Sequence, residues 1–170
     1  MNILVFSDSH GRYEKIRYAL EKQIKKPDAV IFLGDGLADW EKIELEGIRF
    51  YSVSGNCDRT LFFECSEPDE RTVTVGGLKI MMVHGHKYSV KSGLGQLVFS
   101  AIEKGADIVL FGHTHEKLEL VFKSGEECFG RILDKNLYIM NPGSIGDYRS
   151  SWGNIEIDKN RRVLLSHGEH

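Results

Sequence analysis

The 170-residue sequence predicts an α/β fold with buried strands, and three observations predict it. Short continuous apolar runs, ILVF at 3–6, AVIFL at 29–33 and IVLF at 108–111, read as strands covered on both faces, the habit of parallel sheets. Segments with apolar residues at helical spacing separate several of these runs. The runs stop abruptly in polar turns, and in open α/β sheets sites form beyond the carboxyl ends of strands.

The elements follow in order. The run at 3–6 is the first strand, and residues 12–25 form a helix with Ile16, Ala19, Leu20 and Ile24 on one face, broken by Pro27 and Asp28. The second strand spans 29–33, a short helix 37–46 is stopped by Gly47, and the third strand spans 48–53. Residues 59–70 read as irregular chain partly covering a site. Runs 72–75 and 78–83 flank Gly76-Gly77 and predict a β-hairpin. Residues 90–104 predict an amphipathic helix with Leu94, Leu97, Val98, Ala101 and Ile102 inward. Strands follow at 108–111, 117–122, 127–132 and 137–140, then a loop at 148–153 and a last hairpin of 154–157 and 161–166. No repeat, low-complexity tract or linker interrupts the chain, so residues 1–170 read as one domain.

Composition narrows the class. Hydrophobic residues at 41% and charged residues at 28% fit a soluble globule. The net charge of −3 and pI near 6.2 argue against a general nucleic-acid binder. No apolar run approaches the roughly 18 residues of a membrane span, and the N-terminus shows no basic leader or cleavage site. Cys57, Cys65 and Cys128 are odd in number and lack C-x-x-C spacing, so they read as reduced thiols of a cytoplasmic protein.

The chemistry lies in the turns. Five runs end in SDSH, GD, GNCD, HGH and GHTH. Asp8 and His10 are two apart and, in extended chain, point the same way toward one ion. Taken alone, D-x-H also fits a helix cap at Asp8 or Ser9. Together with Asp35, Asn56, His84, His113 and His115 it makes seven oxygen and imidazole donors at strand ends, which suit divalent transition ions better than Ca or Mg. Seven donors are too many for one ion and suit two that share a carboxylate. One ion, or a polar network without metal, is the alternative reading.

The set D-x-H, G-D, G-N-x-D, H-G-H and G-H-x-H, in this order, resembles the calcineurin-like metallophosphoesterase superfamily. GNCD, HGH and the later NPGS point to its minimal YfcE-like phosphodiesterases, and the resemblance runs from Met1 to about Gly146. It implies a four-layer αββα sandwich: two mixed β-sheets packed face to face with helices outside. It also implies a ligand set, with one ion held by Asp8, His10, Asp35 and His115, and another by Asp35, Asn56, His84 and His113. Manganese is the expected metal, with nickel, iron, cobalt or zinc as others. Two such ions lower the pKa of a shared water, which would attack phosphorus as hydroxide.

One position departs from the wider superfamily, where histidine commonly follows the Asn and is thought to protonate the leaving group. Here it is Cys57, whose thiol is a different acid, or a thiolate near cations. His86 is a substitute acid, or packs near the ions. The catalytic candidates are therefore Asn56, Cys57 and His86, while Asp58 is expected to hydrogen-bond a neighbouring loop. Arg12 and Lys87 read as phosphate contacts or surface cations, residues 141–144 as a wall of the site, and His167 and His170 as solvated. Tyr148 and Trp152 read as core or as a subunit contact in a homo-oligomer.

The expected activity is hydrolysis of a small-molecule phosphodiester, with a phosphomonoesterase as the variant within the enzyme class. A non-catalytic scaffold of the same fold is the alternative; the relative that plays this part has altered ligand positions, whereas all seven stand here. A DNA-repair nuclease would need a capping domain and a DNA surface, for which this chain has no room.

Overall fold

The computed structural model describes residues 1–59 and 65–170. Among them, twelve strands and two α-helices occur: β1 (Asn2–Phe6), α1 (Tyr13–Glu21), β2 (Ala29–Phe32), β3 (Arg49–Ser52), β4 (Glu70–Val75), β5 (Leu78–Val83), α2 (Gly95–Glu103), β6 (Ile108–Leu110), β7 (Lys117–Phe122), β8 (Glu127–Cys128), β9 (Arg131–Ile132), β10 (Leu137–Pro142), β11 (Ser151–Ile157) and β12 (Val163–Glu169). Two five-stranded mixed sheets form, in the orders β12-β11-β1-β2-β3 and β4-β5-β6-β10-β7.

Alternation along each apolar run explains the layers. Ile3 and Val5 of β1 and Ala29 and Ile31 of β2 face the second sheet, where they meet Ile80, Met82, Ile108 and Leu110. Leu4, Phe6, Val30 and Phe32 face the other way, onto Ile16 and Ala19 of α1 and onto Trp40. Met81, Val83 and Val109 turn outward onto Leu97, Val98 and Ala101 of α2. The order is helix, sheet, sheet, helix, the expected αββα sandwich. Ile31 is fully buried in the middle, and truncating such a residue to alanine costs about 2–5 kcal/mol.

Several elements differ from expectation. α1 stops at Glu21 and leaves Ile24 entirely exposed; the backbone clash with Pro27 disfavours helix at Lys26, and the chain unwinds before it. α2 begins only at Gly95, after Gly93 (φ 140°), although Val90 remains buried beneath it. The expected helix at 37–46 is a 3-10 helix, Leu37–Lys42. The expected strand at 127–132 is instead the β8–β9 hairpin, because Phe129 (φ 48°) and Gly130 (φ 81°) form a tight turn. β11 begins at Ser151, so Trp152 is core rather than loop, while Tyr148 is 98% exposed. His167 is not solvated: its Nε2 lies 2.7 Å from the Asn141 carbonyl and its Nδ1 2.7 Å from Glu119. His170 is exposed but stacks on Tyr18 at 3.9 Å. Of the irregular stretch expected at 59–70, residues 60–64 lie outside the described residues. No described helix is long and apolar enough to cross a membrane.

The topology gathers the loops. β1, β2 and β3 run parallel, as do β5, β6 and β10. Their carboxyl ends open onto one edge, where backbone bonds tie neighbouring loops of each sheet, Asp8 N donating to Gly34 O at 3.0 Å and Gly112 N to His84 O at 2.9 Å. Gly146 N, donating to Asp8 O at 3.0 Å, joins the two sheets' loops.

Candidate metal centre

The polar turns that end β1, β2, β3, β5 and β6 meet there in unusual backbone. Asp8, His10, Asp35, His113 and His115 all have positive φ, between 45° and 67°. Such conformations cost energy for residues with a Cβ, and they persist where surrounding contacts over-determine them. Those contacts are visible. The Asp58 carboxylate accepts four backbone N–H groups, from Asp35 at 2.7 Å, Gly36 at 2.8 Å, Leu37 at 2.9 Å and Gly55 at 2.8 Å. It thus clamps the turn after β2 to the turn after β3, the loop role expected for it. Asp39, 4% exposed, accepts Ser9 Oγ at 2.6 Å and Gly11 N at 2.9 Å and latches the first turn. Ser144 Oγ donates to Asp8 O at 2.9 Å, and Asn141 Nδ2 to Gly112 O at 3.1 Å, so residues 141–144 do wall the site. Glycine is required where these loops touch: a Cβ on Gly34 (φ 94°) would overlap the Gly55 backbone, and one on Gly112 would overlap Ser7 Oγ.

Three groups of potential ligands result. Asp8, His10 and His115 form one, Asp8, Asp35 and His84 another, and His10, Asp35 and Cys57 a third, with donor atoms in each within 4.8 Å of one another. Asp8, His10 and Asp35 are each shared by two groups. Around Asp8 Oδ1 stand His115 Nε2 at 3.2 Å, His10 Nε2 at 3.8 Å and His84 Nε2 at 3.9 Å, and His84 Nε2 is also 3.3 Å from Asp35 Oδ2. The His113 ring packs 5.0 Å from His84, and its backbone N–H donates to Asp8 Oδ2 at 3.1 Å, but its imidazole is in none of the three groups. Asn56 is exposed on the third turn, its amide donating to Cys57 Sγ at 3.2 Å. His86 sits 5.5 Å from His84, ring to ring, and its buried Nδ1 has no partner among the described residues. Arg12 is exposed at the start of α1, and Lys87 pairs with Asp69.

The tautomers follow from the outer partners. His84 Nδ1 is 2.8 Å from the Leu33 carbonyl and His115 Nδ1 is 3.1 Å from Asp147 Oδ2. A carbonyl or carboxylate only accepts, so each Nδ1 carries the proton and each Nε2 turns a lone pair inward. There they face carboxylate oxygens, acceptor against acceptor. Asp8 Oδ1 and His84 Nε2 are buried and lack any hydrogen-bond partner among the described residues. Buried unpaired acceptors are costly, and a cation between them removes the cost; the donor set therefore fits a divalent ion.

A proton is the alternative cation, and the same contacts shift the protonation of these groups. Once His115 Nε2 takes up a proton it can donate to the Asp8 carboxylate 3.2 Å away, and this raises His115 to about 9. Burial would lower His84, but Asp35 and Asp8 outweigh it and raise it. Burial would likewise raise Asp8 and Asp35, yet the imidazoles of His115 and His84 hold both below the usual carboxylate range. Burial, then repulsion from His84, lowers His86 and His113. Cys57 is pushed up to about 11 by burial and by its hydrogen bond to Asp35.

Sequence reasoning did not find Ser7, Asp39 or Asp147. Ser7 Oγ donates to Asp8 Oδ2 at 2.5 Å. Its signal was its place at the end of an apolar run; that of Asp147 was an acid three residues beyond Ser144 of NPGS.

Comparison with known proteins gives the family. The calcineurin-like phosphoesterase superfamily domain matches residues 1–169. "Probable metallophosphoesterase YsnB" of Bacillus subtilis is 33% identical over 145 residues, spanning 85% of this chain and 75% of that protein. Phosphodiesterase MJ0936 of Methanocaldococcus jannaschii is 29% identical over 148 residues, 75% of this chain and 85% of that protein. Among solved structures, a conserved protein of Streptococcus pneumoniae, titled a predicted phosphoesterase, aligns with TM-score 0.69 at 24% identity over 99% of this chain and 97% of that one. Vps29 of Entamoeba histolytica, complexed with zinc, aligns with TM-score 0.69 at 19% identity over 99% of both chains, a likeness of fold.

Proposed function

Since the chain belongs to the calcineurin-like phosphoesterase superfamily, we propose that it is a metal-dependent phosphodiesterase acting on a small phosphodiester through a dinuclear centre. The observation that carries the reading is the set of imidazole Nε2 atoms around Asp8 Oδ1 at 3.2, 3.8 and 3.9 Å, those of His115 and His84 with their lone pairs turned inward. Two divalent ions, manganese first among the candidates, would supply charge neutralisation at the phosphate and a water acidified to near neutral pH. Asp8, His10 and His115 hold one side of the centre, His84 with Asn56 and His113 the other, and Asp35 stands between them. Asp58 and Asp39 keep these turns in place without touching substrate. Cys57 and His86 are the candidate donors of a proton to the departing oxygen. Three free cysteines suit a reducing compartment such as the cytoplasm.

The test is hydrolysis of bis(p-nitrophenyl) phosphate and p-nitrophenyl phosphate by chelator-stripped protein reloaded with Mn, Ni, Zn or Mg. Diester turnover restored by a transition ion is expected. Preference for the monoester would make the protein a phosphomonoesterase. Stoichiometric metal without turnover of either substrate would favour the scaffold reading.

A further inference from the structure

We propose that Asp147 is a positioning residue for the centre: it fixes the ring and tautomer of His115 and so sets the ion affinity of the Asp8–His10–His115 group. The inference rests on the metal-dependent reading above. Asp147 accepts His115 Nδ1–H at 3.1 Å, which leaves Nε2, 3.2 Å from Asp8 Oδ1, as the ring's free donor. The carboxylate does not reach His115 by chance rotation of a loose loop. Asp147 N donates to Ser144 Oγ at 3.1 Å, and its carbonyl accepts Ser150 Oγ at 3.1 Å and Lys15 Nζ. The preceding Gly146 N donates to Asp8 O at 3.0 Å, so the loop that presents Asp147 is tied to the turn that presents Asp8.

His84 is supported differently. Its Nδ1 donates to the neutral Leu33 carbonyl at 2.8 Å, in full burial. One imidazole of the centre is thus backed by an exposed charge and the other by a buried dipole. A carboxylate raises the basicity of the imidazole it accepts from, and losing such a partner typically weakens metal binding about 10–100-fold. The loss at position 147 should fall on one group of ligands and spare the other.

The experiment titrates chelator-stripped wild type, Asp147→Asn and Asp147→Ala with Mn(II) against a chelating indicator at fixed pH, and melts each protein stripped and loaded. Wild type is expected to bind in two steps. In Asp147→Ala one step should weaken about 10–100-fold and the other stay unchanged. Asp147→Asn, which keeps an acceptor oxygen without the charge, should fall between. The stripped variants should melt with wild type, and only the gain in melting temperature on loading should shrink. Equal weakening of both steps, unchanged affinities, or an equal loss of melting temperature stripped and loaded would each overturn the proposal. Wild type that takes up no ion would instead overturn the metal-dependent reading on which it rests.

Discussion

Asp58→Asn is the sharpest test of how the ligand turns are held. The substitution preserves shape, so packing is unchanged and only hydrogen bonding and charge differ. Each Asp58 oxygen accepts two N–H groups, Oδ2 from Asp35 and Gly55 and Oδ1 from Gly36 and Leu37, at 2.7–2.9 Å. An amide must turn its NH2 toward one of these pairs, donor against donor. Two part-buried N–H groups left without an acceptor cost about 1–3 kcal/mol each. Water reaches this half-buried residue, so the lower half of that range applies and the total is about 3 kcal/mol. For a domain of this size that lowers the melting temperature by about 6–12 °C. The assay is urea unfolding of chelator-stripped protein, so that ion loss does not contribute, with the slope m checked for constancy. A loss under about 1 kcal/mol at unchanged m would refute the clamp.

Other outcomes follow from the same contacts. Asp35→Asn should abolish uptake of both ions, whereas His10→Ala should weaken one, measured as bound manganese per chain; near wild-type diester hydrolysis by Asp35→Asn would sink the shared-ligand assignment. Cys57→Ser should leave turnover of bis(p-nitrophenyl) phosphate intact, since nitrophenolate departs unaided, but slow an alkyl diester at saturating metal. Equal slowing of both substrates, reversed by excess metal, would reduce Cys57 to a loop residue. Burial opposes ionisation of Asp69, but Lys87, Ser54 and Arg59 outweigh it and hold its carboxyl below the ordinary value of 3.8. Its contribution to stability is therefore present above 3.8 and is lost as pH falls through the depressed folded value. Asp69→Asn should flatten the acid limb of a stability–pH curve, and an unaltered limb would contradict the assignment.

The layers were legible because β1, β2 and β6 are apolar without interruption, which leaves no polar face to put in water. The polar turns were legible for a related reason: Asp8, Asp35, His84 and His113 stand within three residues of the ends of β1, β2, β5 and β6, where the chain must leave the sheet. What escaped was non-local. Asp147 acts on His115 across 32 residues and Asp39 on Ser9 across 30, and no local period marks either pairing. His167 looked solvated because its partners, Glu119 and Asn141, come from the other sheet. Ile24 looked inward because helical spacing continued after the backbone had ceased to be helical. Backbone handedness at five of the candidate ligand positions had no sequence signature beyond the tolerance of Asp and His for positive φ.

The order of strands also governs how the chain must be made. β1 is an interior strand, with β2 on one side and β11 antiparallel on the other, pairing Asn2 with Glu156 and Val5 with Gly153. During synthesis β1, β2 and β3 emerge early, while β11, which closes the other flank of β1, comes last but one, with only the edge strand β12 after it. At the usual pace of about 5–20 residues per second, an apolar strand edge stays open for about 7–30 seconds of translation. Contacts of such long sequence separation slow folding as well. The nascent protein is thus a half-sheet with an adhesive margin, and chaperone occupancy of ribosome-bound chains should drop only after Ile157 has cleared the exit tunnel.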